Sequence, residues 1–421
     1  MGAAGGDVTA PRFALFDSLR ALAALSVFVV HLPWVATLAP GNALKPYLVK
    51  LDGGVAVFFL ISGFLLYRPF VQARWAGAPT PNRRSYGIRR ALRIVPAYWV
   101  ALPFAVLLVG PSGEAATATP VFSPHGVVAY FGFLQIYDSD TLLGGISAAW
   151  TLCVEVMFYA LLPVWALLMR RGRARCGPDI VRTELVALAG LLVVGLTWTT
   201  VAAALTRLPA AVFVDVTQIK PWLYVLPAYL DHFALGMALA VVSVALAGRQ
   251  RQPAAVRLVE RWPALPWALS AVAFGAMGRL GHWFPDSWAA HFVFNHVLQG
   301  IVALGLLLPA VFGDDRGGAV RRILANRVLL WVGVVSYGLY LWHVAVMRKL
   351  TDLGLLDSLG RGGFTALALA LSLLAAAASF YVVERPALRL GRRLSGRRRS
   401  QDADMRLADL SRDERSDAAV P

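Results

Sequence analysis

Residues 15–38 read LFDSLRALAALSVFVVHLPWVATL, an apolar run that is interrupted by Arg20 and His31. A helix that crosses a bilayer needs about 20 mainly apolar residues, in a range of about 17–25. Nine further runs of this kind follow along the chain. The ten predicted spans are 15–38, 52–71, 92–110, 148–169, 184–206, 222–246, 262–278, 291–313, 328–347 and 363–383. The pattern predicts an all-α, polytopic transmembrane bundle of about ten spans.

The composition agrees with a membrane protein, because 58% of the 421 residues are hydrophobic and only 15% are charged. Soluble domains are usually about 45–50% apolar and about 25% charged. We therefore predict one membrane domain at 13–390, which follows a short cytoplasmic segment at 1–12. Residues 391–421 mix Arg, Asp, Ser and Gly, and we expect a disordered cytoplasmic tail there.

The basic residues indicate how the chain is oriented. If the N-terminus is cytoplasmic, the inner segments hold 31 of the 40 Lys and Arg residues and the outer segments hold 8. The loop at 111–147 has none, as the positive-inside rule expects of an outer loop. We therefore expect both termini in the cytoplasm and a multi-pass protein of the plasma or inner membrane, with the lipid bilayer as a partner.

The same charges give little support to other classes of protein. The net charge of +16 is spread in short clusters between apolar runs, whereas a nucleic-acid-binding protein groups its basic residues on one surface. Cys153 and Cys176 lie far apart in the predicted topology, so we expect no disulfide. His291 with Asp286 is at most a weak site, and no spacing of His, Cys or carboxylates predicts a metal centre.

Arg20 and His31 stand on one face of the first predicted helix, about 16 Å apart along its axis. Ionisable side chains inside a bilayer are costly and are functional candidates by default. A histidine can accept a proton from a hydroxyl near neutral pH, and an arginine suits a phosphate or carboxylate. The plainer alternative is an arginine that reaches the interface and a histidine that is packed and hydrogen-bonded.

Other polar residues interrupt the later spans. Glu155 lies about two turns into the fourth span, where it orients His31 or a substrate hydroxyl, or else makes a structural hydrogen bond. In the sixth span we favour a cavity-facing role for Asp231 and a packed one for His232. His343, near the outer end of the ninth span, also fits an interfacial aromatic belt.

The third span opens with three arginines, Arg89, Arg90 and Arg93. Arginines three residues apart lie on one helical face, and a pair so placed near the cytoplasmic boundary could hold a phosphate. The alternative is ordinary positive-inside charge.

Taken together, these segments resemble the acyltransferase 3 family of membrane O-acyltransferases. The first helix fits the family's pattern of an Arg and a His that are separated by ten residues, here Arg20 and His31. Other stretches are similar to its remaining motifs: 58–64 (FFLISGF), 89–96 (RRALRIVP), 150–159 (WTLCVEVMFY), 336–343 (SYGLYLWH) and 384–386 (ERP). Thr151 departs from the family pattern, which has Ser at that position. The resemblance covers about residues 13–390.

The resemblance implies an enzyme that moves an acyl group, acetyl or another short one, from acyl-CoA to a hydroxyl of a carbohydrate or a glycosylated small molecule such as a macrolide. It makes His31 the expected general base with Glu155 in support, acyl-CoA a co-substrate, and no cofactor bound. Arg20, Arg90 and Arg93 are expected near the CoA. The substrate-binding set is completed by Ser62, Asp231 and His343. A covalent acyl intermediate on His31 or Ser62 stays open.

Two other classes are compatible with the same sequence. One is a secondary transporter of a small solute, although no internal repeat is apparent. The other is a membrane scaffold without catalysis. Acyl transfer from acyl-CoA would separate the three.

Overall fold

The computed structural model describes residues 15–39, 41–114, 119–171, 177–206, 220–247, 249, 251–312 and 319–396. Within them the long helices are α1 Leu15–Val30, α2 Gly54–Trp75, α3 Arg83–Val109, α4 Trp150–Arg171, α5 Gly177–Thr206, α6 Leu230–Leu246, α7 Ala264–Met277, α8 Trp288–Phe312, α9 Arg327–Asp352 and α10 Leu355–Ser379. No β-strand occurs in these residues. Each long helix overlaps one predicted span.

Eight of the helical stretches are long and apolar enough to cross a membrane. The exceptions are α1, with 16 residues, and α7, with 14. The predicted all-α, multi-pass architecture is confirmed. The count of ten spans and the cytoplasmic termini stay predictions, and residues 1–14 and 397–421 lie outside the described part of the chain.

The first span is not one continuous helix as predicted. Helix α1 ends at Val30, and a separate short helix, Pro33–Ala36, begins with a proline. A residue before proline is driven towards extended backbone, and Leu32 has φ −61° and ψ 124°. His31 therefore lies in the break after α1 instead of on the same helical face as Arg20.

Small residues allow the central helices to approach closely. A Cβ on Gly63 of α2 would overlap the carbonyl oxygen of Phe233, and a Cβ on Gly236 of α6 would overlap that of Leu60. Helix α1 packs against α2 on one side and α9 on the other, where Gly333 lies against the backbone of Asp17. Close approach at small residues is the usual way that membrane helices associate.

The end of the chain continues the bundle further than the sequence indicates. After α10 and a π-helical turn at Phe380–Glu384, residues 385–396 are helical. The predicted tail was placed from residue 391, so its first six residues are helical instead. Residues 397–421 lie outside the described part.

Candidate active site

A cavity of about 420 Å³ lies among α2, α3, α4 and α9. We call the end of the bundle where α1 begins the arginine end, and the end where α1 stops at Val30 the histidine end. The cavity's charged and hydroxyl-bearing lining comprises Arg20, Ser62, Arg90, Arg93, Thr151, Glu155, Tyr159, Ser336, Tyr337, Tyr340 and Arg392. The structure thus brings together five of the predicted site residues and adds Arg392.

Four guanidinium groups surround this one cavity. Arg20 donates through Nη1 to Asp17 Oδ1 at 2.9 Å. The guanidinium of Arg90 lies 6.0 Å from the ring of Tyr159, while its Nε is buried with no hydrogen-bond partner in the described residues. Glu155 is the one carboxylate among the lining residues. Positive charge therefore exceeds negative charge around the cavity, which favours an anionic ligand.

Glu155 is held by two hydroxyl groups. Ser62 Oγ donates to Glu155 Oε1 at 2.6 Å, and the Tyr159 hydroxyl donates to the same oxygen at 2.7 Å. Its second oxygen makes no hydrogen bond within the described chain. The side chain of Glu155 therefore does not orient His31, and its contacts belong to the arginine-lined cavity.

Tyr340 closes the cavity towards the histidine end. Its hydroxyl contacts both Thr151 Oγ1 and the carbonyl oxygen of Ala148. Its ring lies 6.3 Å from that of Phe58 on one side and 6.1 Å from that of His343 on the other. Tyr340, Thr151 and Phe58 therefore form a partition between the arginine-lined cavity and the histidines.

Beyond this partition, His31 and His343 form a pair with ring centroids 5.0 Å apart. His31 Nδ1 lies 2.8 Å from the carbonyl oxygen of Val27 and 3.3 Å from His343 Nε2. His343 Nδ1 lies 3.1 Å and 3.0 Å from the carbonyl oxygens of Leu339 and Tyr340. His343 is buried and His31 is exposed.

These contacts fix where the protons are in the neutral rings. A carbonyl oxygen only accepts hydrogen bonds, so Nδ1 of each ring carries its hydrogen. His343 Nε2 is then an acceptor for the His31 Nδ1–H, and His31 Nε2 is left as the unprotonated nitrogen of the ring. The arrangement presents Nε2 of His31 as a base.

Asp231 lies outside the cavity. Its Oδ2 accepts from His296 Nε2 at 2.8 Å, and His232 Nε2 donates to the carbonyl oxygen of His296 at 3.2 Å. Possible ligand atoms of these three residues lie within 4.8 Å of one another. However, the two imidazole rings are stacked 4.2 Å apart and nearly parallel, and both Nε2 atoms carry protons. This arrangement fits histidines that are hydrogen-bonded within the protein better than it fits metal ligands. A substrate-binding role for Asp231 stays a prediction.

The loop between α3 and α4 is tied to the start of α4 by a buried carboxyl group. Glu114 Oε2 accepts from the backbone N–H and the hydroxyl of Ser147, at 2.8 Å and 2.7 Å. Its other oxygen is buried without a partner in the described residues. Burial raises the pKa of Glu114 to about 7, although the Ser147 hydrogen bonds favour the charged form. This loop carries Ala148 near its end, and Thr151 follows in the first turn of α4; both contact the hydroxyl of Tyr340.

Sequence reasoning missed three features of the site. Tyr340 stood inside the quoted stretch 336–343, but only His343 was singled out there. Arg392 was included in the tail predicted from residue 391, because a residue beyond the last apolar run gives no sign that its helix continues. His296 was not singled out as a site residue, because no sequence spacing connects it with Asp231.

Comparison with known proteins identifies relatives over the whole membrane region. The family described as "Acyltransferase domain" matches residues 13–384. Nodulation protein 10 of Rhizobium leguminosarum bv. viciae is 26% identical over 91% of this chain and 96% of that protein. Acyltransferase MdmB of Streptomyces mycarofaciens is 26% identical, with 91% and 93% covered. No solved structure matches.

A third relative is longer than this chain. Peptidoglycan O-acetyltransferase OatA of Listeria monocytogenes is 23% identical over 80% of this chain, and the match spans 49% of that relative. The chain thus corresponds to about half of that protein and to nearly the full length of the other two.

Proposed function

The chain belongs to the acyltransferase-domain family and is a multi-pass membrane O-acyltransferase, and within that class we propose that it moves a short acyl group from acyl-CoA to a hydroxyl of a carbohydrate or glycosylated small molecule. The observation that carries this proposal is the single cavity lined by four arginines, which ends at a partition one aromatic ring from the His31–His343 pair. It would operate in the cell membrane with acyl-CoA as a co-substrate.

The donor's charge and shape fit this cavity. Acyl-CoA has a phosphate-bearing head and a long, flexible arm that ends in the thioester. Arg20, Arg90 and Arg93 would hold the phosphates through charge-assisted hydrogen bonds, with Arg392 as a fourth cation. The unpartnered Nε of Arg90 supports such a ligand, since a buried donor normally has an acceptor.

The arm would extend towards the histidine end. For the thioester to meet His31, it must pass the contact between Tyr340 and Thr151, beside Phe58. Rotation of the Tyr340 ring would open this path and would exchange its hydrogen bonds with Thr151 and Ala148 for contacts to the substrate. Acyl transfer would then be shielded from the water on the arginine side.

The chemical step uses His31 Nε2. This nitrogen takes the proton of the acceptor hydroxyl as the hydroxyl oxygen attacks the thioester carbonyl carbon. The carbon–sulfur bond breaks, and the sulfur of CoA leaves with the proton that His31 returns. A general base of this kind typically contributes about 10²–10⁴-fold to the rate. His343 holds the proton on Nδ1 of His31, so that Nε2 is the basic atom throughout.

Two relatives support the proposed acceptor class. One is a peptidoglycan O-acetyltransferase, and another, from Rhizobium meliloti, is an exopolysaccharide production protein that is 27% identical over 80% of this chain. We extend a glycan or glycosylated acceptor to this chain on that basis.

The test uses purified protein in proteoliposomes with radiolabelled acetyl-CoA and a panel of a peptidoglycan fragment, an exopolysaccharide oligomer and a glycosylated macrolide. We expect label in at least one acceptor, with release of free CoA in equal amount. A transporter would instead accumulate a solute without any need for acetyl-CoA. Absence of transfer and of CoA release with every acceptor would refute the proposal.

A further inference from the structure

The histidine end of the bundle has a group of aromatic side chains with unused polar atoms. The ring of Trp150, the first residue of α4, lies 4.7 Å from that of Tyr224 and 5.4 Å from that of Tyr229. All three side chains are partly exposed. The indole N–H and the two phenol groups make no hydrogen bond within the described part of the chain.

A carboxylate and an amide lie beside these rings. Asp52 is exposed and accepts from Gln299 Nε2 at 3.2 Å through Oδ1, and no other side chain of the described residues bonds to its Oδ2. Asp52 is within electrostatic range of both Tyr224 and Tyr229. Partly exposed aromatic rings whose polar tips make no bond within the described chain can pack against a ligand and hydrogen-bond it at the same time.

This group is close to the reactive residues. Trp150 precedes Thr151, which contacts the hydroxyl of Tyr340. Tyr229 lies 5.2 Å from the ring of Phe59, next in the chain to Phe58 of the partition. A molecule bound on Trp150 would therefore lie beside the point where the donor's thioester passes Tyr340.

We propose that Trp150, Tyr224, Tyr229 and Asp52 form the acceptor subsite and that it binds a neutral pyranose sugar. The flat C–H face of a pyranose packs against aromatic rings, while its hydroxyl groups act as donors and acceptors. Asp52 accepts hydrogen bonds from one or two sugar hydroxyls, and the phenols and the indole N–H donate hydrogen bonds to the sugar oxygens. An aliphatic or aromatic acceptor would leave these polar groups without partners. The catalytic role of this subsite rests on the proposed function, but sugar binding itself does not require acyl-CoA.

The test measures sugar binding without acyl-CoA. Saturation-transfer-difference NMR with methyl β-D-glucopyranoside and with N-acetylglucosamine, on protein in lipid nanodiscs, reports affinity and the sugar protons that contact the protein. We expect transfer concentrated on one C–H face of the ring. Tyr224→Phe and Asp52→Asn, which keep the shape of each side chain, should each weaken binding about three- to tenfold, as expected for one lost hydrogen bond.

The matched control is Tyr381→Phe, which removes an exposed phenol at the other end of the bundle and should leave binding unchanged. Trp150→Ala should abolish the transfer signal, and the two conservative variants keep the test valid if that variant fails to fold. No binding by the unaltered protein, or equal binding by Tyr224→Phe and Asp52→Asn, would overturn the subsite. Sugar binding without acyl transfer would support the subsite and count against the proposed donor.

Discussion

Two hydrogen-bond acceptors determine which nitrogen of His31 is basic. The carbonyl of Val27 and the ring of His343 both face Nδ1, so the proton is kept there and Nε2 is the unprotonated nitrogen. His343 is a positioning residue in this account, because it acts through His31. Orientation of His31 was one of three roles predicted for Glu155, but its carboxylate instead accepts hydrogen bonds from Ser62 and Tyr159.

The residue types in the sequence predicted many of the residues that line the cavity. Which of them lie close together depends on how the helices pack. Arg20, Ser62, Arg90, Arg93 and Glu155 were each predicted and do line one cavity. Helical periodicity shows which face of a helix a residue is on, but it does not show which neighbouring helix that face meets. This is why Asp231 was grouped with the cavity, when its partner is His296 on α8.

Arg392 provides a prediction at this scale. The change Arg392→Gln should raise KM for acyl-CoA about 10- to 150-fold with kcat nearly unchanged, because one charge-assisted hydrogen bond contributes about 1.5–3 kcal/mol. Steady-state kinetics at several acyl-CoA concentrations would measure it. Arg279→Gln, at an exposed arginine in the chain between α7 and α8, is the control. An unchanged KM in the Arg392 variant would remove this residue from the donor site.

At the scale of helices, apolar runs located all ten long helices, but local chain geometry set their ends. Pro33 separates α1 from the next turn and places His31 in the break. Composition alone suggested a tail from residue 391, although the helix there continues through residue 396 and brings Arg392 to the cavity. Ends depend on single residues and on tertiary packing, which average hydropathy does not report.

The crossing of α2 and α6 leads to a second prediction. Gly236→Ala should lower Tm and the yield of folded protein, since the added methyl overlaps the backbone of Leu60 and forces the helices apart. The control is Gly190→Ala in α5, where nothing lies within 4 Å of the new methyl. Thermal unfolding in detergent would compare the two. Equal Tm values would show that the crossing is not close.

The loop between α3 and α4 should respond to pH through Glu114. In the folded chain its pKa is about 7, above the ordinary value of 4.5, so the folded state favours the protonated carboxyl. The stability from this group is therefore full below about pH 4.5 and is lost as the pH rises from there to about 7, above which it changes no further. Hydrogen exchange of residues 119–147 should speed up between about pH 4.5 and pH 7 beyond its intrinsic pH dependence and show no further excess above about pH 7.

Glu114→Gln is the control for this effect, because a neutral amide replaces the carboxyl. The variant should show only the intrinsic pH dependence of exchange. If the unaltered chain and the variant respond identically, Glu114 does not titrate in this range.

At the scale of the whole molecule, the arginine and histidine ends should face opposite sides of the membrane. The charge distribution predicts a cytoplasmic arginine end, where acyl-CoA is available. In a background with Cys176→Ser, an impermeant maleimide should label Tyr137→Cys in intact cells. It should label Arg257→Cys only after permeabilisation. Labelling of both from the same side would contradict the separation of donor and acceptor.

The most direct measurement is acyl transfer by purified His31→Ala in lipid, compared with the unaltered protein at saturating acyl-CoA. The account predicts a loss of about 10²–10⁴-fold in kcat, as for removal of a general base, with binding of acyl-CoA nearly unchanged. Near-normal turnover by His31→Ala would contradict the assignment of His31 Nε2 as the base.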